Sequence, residues 1–115
     1  MNKFGLLDSD IHFLLTLFKK YNTIKEVQIF GSRAKGNYKN GSDVDLAIKS
    51  EDISAEEINQ IDDELNEFSN LPYKFDVIHY KKIQTIELKE HIDRIGKVLY
   101  QNLNLSFAIS SQKFG

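Results

Sequence analysis

The sequence contains no cysteine, only one proline and no long apolar run. Without cysteine, the chain can form neither a disulfide nor a thiolate metal site, and it has no thiol nucleophile. No apolar stretch approaches the roughly 18 residues of a membrane-spanning helix, and the N-terminus lacks a basic-then-apolar signal pattern. The formal net charge is −2, so the chain is not globally basic. We therefore expect a cytoplasmic protein that contacts no membrane and does not have nucleic acid as its main partner.

The 115 residues are enough for one domain with a modest core, and their periodicity predicts its elements. Apolar residues at helical spacing predict a helix with Asp8 or Ser9 as its N-cap, one that follows a capping box at Ser54, and one that ends near Ile95. Their apolar stripes are Ile11, Leu14, Leu15 and Phe18; Ile58, Ile61, Leu65 and Phe68; and Leu88, Ile92, Ile95 and Leu99. Runs of strand-forming residues predict strands over 27–30, 43–48 and 74–80, and a short extended piece over 98–100.

This order of helices and strands predicts an α/β or α+β domain with a small mixed sheet packed against helices. We place the domain at residues 1–101 and treat residues 102–115 as a C-terminal tail of uncertain structure. In the tail, apolar and polar residues alternate, which suits a lone strand, a segment that docks on another surface, or a frayed terminus. The apolar positions are Leu103, Leu105, Phe107 and Ile109.

Residues 27–48, VQIFGSRAKGNYKNGSDVDLAI, hold the residues with the clearest chemical meaning. Gly31-Ser32 stands where a strand leads into a helical turn, and such a step lets backbone N–H groups approach a phosphate. Asp43 and Asp45 are two residues apart on a strand, so both carboxylates point to one face and can converge on a metal. Asp76 lies inside the next predicted strand, where aspartate is also rare. The alternative is that these acids are solvated and that Gly31-Ser32 is an ordinary turn.

Gly31-Ser32, followed after ten residues by Asp43-x-Asp45, resembles the signature of polymerase-β-like nucleotidyltransferases. The short chain and the sequence GSRAKG…GSDVDLAI resemble the minimal, MNT-type members, over about residues 18–100. The resemblance implies the polymerase-β-like nucleotidyltransferase fold, ATP as substrate and two Mg²⁺ ions. It also implies that Asp43 and Asp45 bind metal, and that Asp76 helps to bind the catalytic metal and acts as, or near, the base. The missing GxxxxGK[ST] motif excludes a P-loop, so Gly31 and Ser32 would form a different phosphate cradle.

Several other polar residues can be interpreted in two ways. Arg33 directly follows Ser32, and its planar donor fork suits a triphosphate, although a solvated position is the competing interpretation. Lys35 is a weaker candidate for the same role, and we interpret Lys39 and Lys49 as solvated. The three histidines share no metal-ligand spacing, so we interpret His12, His79 and His91 as structural or surface residues.

The predicted function is metal-dependent transfer of a nucleoside monophosphate to a hydroxyl group. A chain of this size leaves little surface for an acceptor pocket, so we expect the acceptor on another chain or on a second subunit of an oligomer. The resemblance implies a tyrosine of a HEPN-domain toxin encoded nearby, with AMP addition silencing the toxin and this chain acting as antitoxin. Two alternatives stay open: a binding antitoxin without catalysis, and an enzyme that modifies a small molecule such as an aminoglycoside.

Overall fold

A computed structural model describes residues 4–103, in which a four-stranded sheet carries helices on both faces. The elements in chain order are α1 (Asp8–Lys19), β1 (Glu26–Phe30), α2 (Gly31–Lys35), β2 (Val44–Lys49), α3 (Ala55–Asp63), β3 (Phe75–His79), α4 (Ile86–Ile95) and β4 (Lys97–Gln101). A π-helical turn, Glu64–Phe68, continues α3, and a 3-10 turn, Tyr80–Lys82, follows β3.

The strands lie in the order β3-β2-β1-β4, so β1 and β2 are central. Strand β1 is antiparallel to both of its neighbours, whereas β2 and β3 are parallel. A parallel pair needs a long crossover connection, and α3 supplies it. The predicted mixed sheet packed against helices is therefore confirmed.

The two faces of the sheet bury side chains to different extents because residues in a strand alternate between them. On β2, Val44, Leu46 and Ile48 enter the larger core, which α1 and α3 complete. The helical members of that core include Leu14, Leu17, Phe18, Ile61 and Leu65. The opposite face has a smaller cluster, in which Phe30 and Ala47 pack against Ile92 of α4. Asp45 belongs to this second face, as its place in the alternation predicts.

Helix α3 begins with the capping box that the sequence predicts. The Glu57 N–H donates to Ser54 Oγ at 3.0 Å, and the Ser54 N–H donates to Glu57 Oε1 at 3.3 Å. The far end of the predicted stripe is wrong, because the Phe68 side chain is 78% exposed. The π-helical turn changes the period after α3, and this change turns Phe68 away from the core although Leu65 stays buried.

Helix α1 begins at Asp8, with Leu7 as its N-cap, so the predicted cap at Asp8 or Ser9 is also wrong. The Leu7 N–H donates to Asp10 Oδ2 at 3.1 Å. The carboxylate at the third helical position thus accepts from the N–H of the N-cap residue, which is the contribution that an acid at this position makes to a capping box. The burial of Asp10 follows from this contact and from a second one described below.

Helix α4 ends at Ile95 before Gly96, as predicted, and the chain then forms β4 along the free edge of β1. Residues 104–115 lie outside the described residues, and with them most of the predicted alternation in the tail. The division between domain and tail therefore stays a prediction. Within residues 4–103, no helix is both long and apolar enough to cross a membrane.

Candidate active site

Asp45 and Asp76 lie side by side on neighbouring strands. In the parallel pair β2–β3, Asp45 is the register partner of Asp76, and adjacent strands are about 4.8 Å apart. Asp43 immediately precedes β2, two residues before Asp45, and the side chains of Asp43 and Asp76 are exposed. The fold therefore brings the three predicted acids to one end of the strands, on the face that α4 covers farther along.

The three carboxylates act on one another electrostatically. The pKa of Asp45 is raised to about 6, first because the side chain is half-buried and then because of the negative charges of Asp76 and Asp43. Burial and like charge both disfavour the ionised carboxylate. Three anionic side chains at the same end of the sheet are thus costly in the absence of a cation.

The donor set suits a hard cation, because carboxylate oxygens are the ligands that Mg²⁺ prefers. Among residues 4–103, no three or more histidine, cysteine, aspartate or glutamate side chains are close enough to hold a metal ion as they stand. Exposed side chains change rotamer readily, so Asp43 and Asp76 have room to turn towards Asp45. The chemistry of the site therefore fits Mg²⁺, although its side chains are not yet arranged as a ligand shell.

Gly31 lies directly against the Asp45 carboxylate, and its geometry permits no side chain. Its φ is +74°, in the region that favours glycine. A Cβ added at Gly31 would clash with Asp45 Oδ2 and lie 3.3 Å from Asp45 Cγ. Because Phe30 pairs with Asp45 across β1 and β2, the strand register sets this close approach. Backbone and carboxylate thus meet at the junction where the sequence predicts a phosphate cradle.

Ser32 lies in the first turn of α2 and is half-buried beside Gly31. The helix is short and ends at Gly36, which adopts a left-handed conformation with φ +87°. The N–H groups at the start of any helix lack partners within the helix, and they favour anions. The Gly31-Ser32 step and the acids therefore border a common space, in which a phosphate would lie beside a bound cation.

Arg33 has a different environment from the one that the triphosphate hypothesis requires. The side chain is only 2% exposed. Its Nε and Nη2 donate to the Ser42 carbonyl oxygen at 3.2 and 2.9 Å, and its Nη1 donates to the Phe4 carbonyl oxygen at 2.9 Å. Tyr38 and Tyr73 flank the guanidinium, with ring centroids 5.2 and 5.0 Å from Cζ. This placement does not support a role in neutralising a nucleotide, and it makes Arg33 a tie between three chain segments.

A set of contacts behind the site connects Arg33, through Tyr73 and Asp10, to α1. The sequence analysis did not predict these contacts. The Tyr73 hydroxyl donates to Asp10 Oδ2 at 2.7 Å, the same atom that accepts the Leu7 N–H. Burial, followed by the hydrogen bond and charge of Asp10, raises the pKa of Tyr73. Because Arg33 holds the carbonyl of Ser42, this set of contacts fixes the residue before Asp43. No local sequence pattern predicts that Arg33, Tyr73 and Asp10 interact, because they are far apart in the sequence.

The remaining candidate residues are exposed or contact other parts of the chain. Lys35 is exposed at the end of α2. His12 is exposed, His79 Nε2 lies 3.0 Å from the Ser50 carbonyl oxygen, and His91 packs edge-on against Phe30. These positions agree with a structural or surface role for the histidines.

The sequence matches the family model described as Polymerase beta, Nucleotidyltransferase over residues 13–104. No curated protein sequence matches the chain significantly.

Several solved structures with a similar fold are toxin–antitoxin complexes. The chain aligns with a chain of a toxin–antitoxin crystal structure with AMP-PNP at a TM-score of 0.66 and 20% identity, covering 94% of this chain and 86% of that one. For the MntA–HepT toxin–antitoxin structure the TM-score is 0.63 at 16% identity, with the same two coverages. For the tri-AMPylated Shewanella oneidensis HEPN toxin in complex with MNT antitoxin it is 0.62 at 15% identity, covering 92% and 82%. At these identities the likeness establishes a shared fold.

Proposed function

Because the chain belongs to the polymerase beta nucleotidyltransferase family, we propose that it transfers AMP from ATP to a hydroxyl acceptor and releases pyrophosphate. The proposed acceptor is a tyrosine hydroxyl of a HEPN-domain toxin, so that the chain acts as an antitoxin by modifying its partner.

The observation that carries this proposal is the meeting of Gly31 with Asp45 beside Asp76. Backbone groups that suit a phosphate and carboxylates that suit a cation are brought together by strand register. Phosphoryl-type transfer depends mainly on positioning and charge neutralisation, which such a site supplies. A solvated strand end would need neither the positive φ at Gly31 nor its close approach to Asp45.

In the proposed reaction, the acceptor oxygen forms a bond to the α-phosphorus, and the bond from that phosphorus to the bridging oxygen breaks. Pyrophosphate leaves with the electron pair of the broken bond, and Asp76 takes the proton of the hydroxyl. The N–H groups of Gly31 and Ser32 hold the β- or γ-phosphate oxygens. Asp43, Asp45 and Asp76 would hold two Mg²⁺ ions, which neutralise phosphate charge and increase the acidity of the attacking hydroxyl.

The proposed partner follows from size and from the comparisons. In the described part of the chain, the carboxylates border no separate domain that could enclose an acceptor. Solved structures that share this fold include toxin–antitoxin pairs, and one of them contains an AMPylated HEPN toxin. In the proposed complex, a second chain brings its own hydroxyl to the open edge of the site and so supplies the acceptor.

The test is transfer of label from α-³²P-ATP to a HEPN-domain protein encoded beside this chain. We expect label on the partner, with the loss of all but a small fraction of the transfer in Asp43→Asn and Asp45→Asn. Asp63→Asn makes the same chemical change at an exposed position on α3 and serves as the control. Activity within a few-fold of wild type in either site variant would disprove the assignment of the carboxylates. A partner that is inhibited but unlabelled would favour the binding antitoxin instead.

A further inference from the structure

A polar cavity lies on the same sheet face as the carboxylates, at the other end of the strands. Its volume is about 320 Å³, and it opens where β2 and β3 end and α4 begins. Four lysines line it, Lys25, Lys49, Lys81 and Lys89, together with Tyr80 and Ser50. We call this the lysine pocket.

The lysine pocket is separate from the carboxylates. Lys49 is four residues beyond Asp45 on β2, so the two side chains are on the same face and about 13 Å apart along the strand. Between them, Ala47 packs under Ile92 of α4. A ligand in the lysine pocket therefore does not have to enter the carboxylate site.

Positive charge in the lysine pocket exceeds negative charge. Lys49 pairs with Glu26 at 3.7 Å, and Lys81 pairs with Glu51 at 3.0 Å. Within residues 4–103, neither Lys25 nor Lys89 has a carboxylate partner within ion-pair distance. The lining residues thus carry two more positive than negative charges, in a chain whose net charge is −2, and the further carboxylate of Asp93 accepts from the Tyr80 hydroxyl. Such a local excess attracts a small anion into a concave site.

The hydrogen bond and the charge of Lys81 are the main causes that lower the pKa of the exposed Glu51, and the charge of Lys25 adds to them. The carboxylate thus titrates in a field that is positive at this point of the surface.

Tyr80 gathers two of the ammonium groups. Lys49 Nζ lies 4.6 Å and Lys89 Nζ 5.2 Å from the ring centroid, so the two charges are within about 10 Å of each other. The Tyr80 hydroxyl donates to Asp93 Oδ1 at 2.6 Å, which holds the ring in place. Two like charges that share one ring repel each other, and an anion between them removes the repulsion. The ring thus holds the ammonium groups in position before any ligand arrives.

We propose that the lysine pocket binds a ligand with two or more linked phosphate groups. An ammonium group binds phosphate as a point charge. The surplus of two positive charges suits an anion with several negative charges, such as pyrophosphate, better than it suits a neutral ligand. The volume falls at the lower end of the range for small-ligand sites, so the pocket accepts a phosphate chain more readily than a folded partner. The linked phosphates can come from a free inorganic or nucleoside di- or triphosphate, whereas a nucleic-acid backbone offers only phosphodiesters that sugars separate.

The experiment measures binding of inorganic pyrophosphate to the full chain by calorimetry in EDTA, where no metal supports binding at the carboxylates. We expect Lys49→Gln combined with Lys89→Gln to weaken binding by about tenfold or more. The matched control combines Lys19→Gln with Lys97→Gln, which removes the same charge from exposed positions elsewhere and should leave affinity within about twofold. Asp45→Asn should also leave binding intact.

Further arms of the experiment decide the source of the phosphates and the fate of the proposal. ATP and a short oligonucleotide in the same buffer identify which of them competes with pyrophosphate for the lysine pocket. Pyrophosphate binding that is unchanged by the paired lysine variant but altered by Asp45→Asn would overturn the proposal, because the site would then be the carboxylates. An absence of pyrophosphate binding would overturn it as well. Unchanged melting of both paired variants shows that lost affinity is not lost folding.

Discussion

Arg33→Lys tests whether the buried guanidinium holds the fold together. In the wild-type chain, the Arg33 guanidinium donates three hydrogen bonds to the carbonyl oxygens of Ser42 and Phe4. The replacement keeps the positive charge but removes the planar guanidinium, so that a single ammonium group must donate to both carbonyls. A hydrogen bond to a charged group contributes about 1.5–3 kcal/mol, and stacking of a desolvated cation on an aromatic ring adds about 1–2 kcal/mol. Lysine can retain one hydrogen bond and part of the ring contact, so we expect a loss of roughly 3 kcal/mol.

The assay is urea unfolding followed by circular dichroism, with a thermal melt beside it. For a domain of this size, the expected loss corresponds to a fall in Tm of about 10 °C. Arg94→Lys is the control, because Arg94 is exposed on α4 and its replacement should change the free energy of unfolding by about 0.5 kcal/mol or less. A free energy of unfolding for Arg33→Lys within about 1 kcal/mol of wild type would refute the reasoning, since the carbonyls would then need no fork.

Two further predictions concern the site itself. Gly31→Ala should lower the free energy of unfolding more than Gly36→Ala does. Both glycines have a positive φ, which costs alanine about 1 kcal/mol, but only a side chain at Gly31 would clash with Asp45. Equal losses in urea unfolding would contradict this prediction. In metal-free buffer at pH 7.5, Asp45→Asn should be more stable than wild type by about 1 kcal/mol after allowance for solvent screening. Because the folded pKa of about 6 is above the unfolded value, the penalty is present above pH 6 and disappears as the pH falls towards 4. Wild type should therefore draw level with the variant at low pH in melts at several pH values, and a constant gap would contradict the prediction.

Local patterns predicted most of the fold because its elements follow local rules. The alternation on β2 predicted which residues enter the larger core, and the Ser54 capping box predicted where α3 begins. The same alternation placed Asp43 and Asp45 on one face. The meeting of Asp45 with Asp76 followed from strand order, because two consecutive parallel strands of a small sheet are commonly neighbours.

Local patterns were wrong or silent where distant parts of the chain decide the outcome. Arg33 next to Ser32 suggests a phosphate ligand, and only the packed structure shows the carbonyls and tyrosines that surround it. Lys49, interpreted as solvated, joins lysines from three other parts of the chain in one cavity. Phe68 fits a helical stripe until the helix changes its period. None of these outcomes has a signal within a window of a few residues.

The central place of β1 has a consequence for how the chain acquires its structure. Strand β1 pairs with β2, the next strand in the chain, through a connection that contains α2, but its other edge pairs with β4, which lies about seventy residues later in the chain. The hairpin of β1 and β2 and the addition of β3 can bring the carboxylates together before β4 arrives. Until then, the N–H and C=O groups along one side of β1 are free to pair with another strand. The pairing of β4 with β1 thus covers an edge that could otherwise accept another strand, whereas Asp45 and Asp76 of the candidate site lie on β2 and β3, which do not pair with β4.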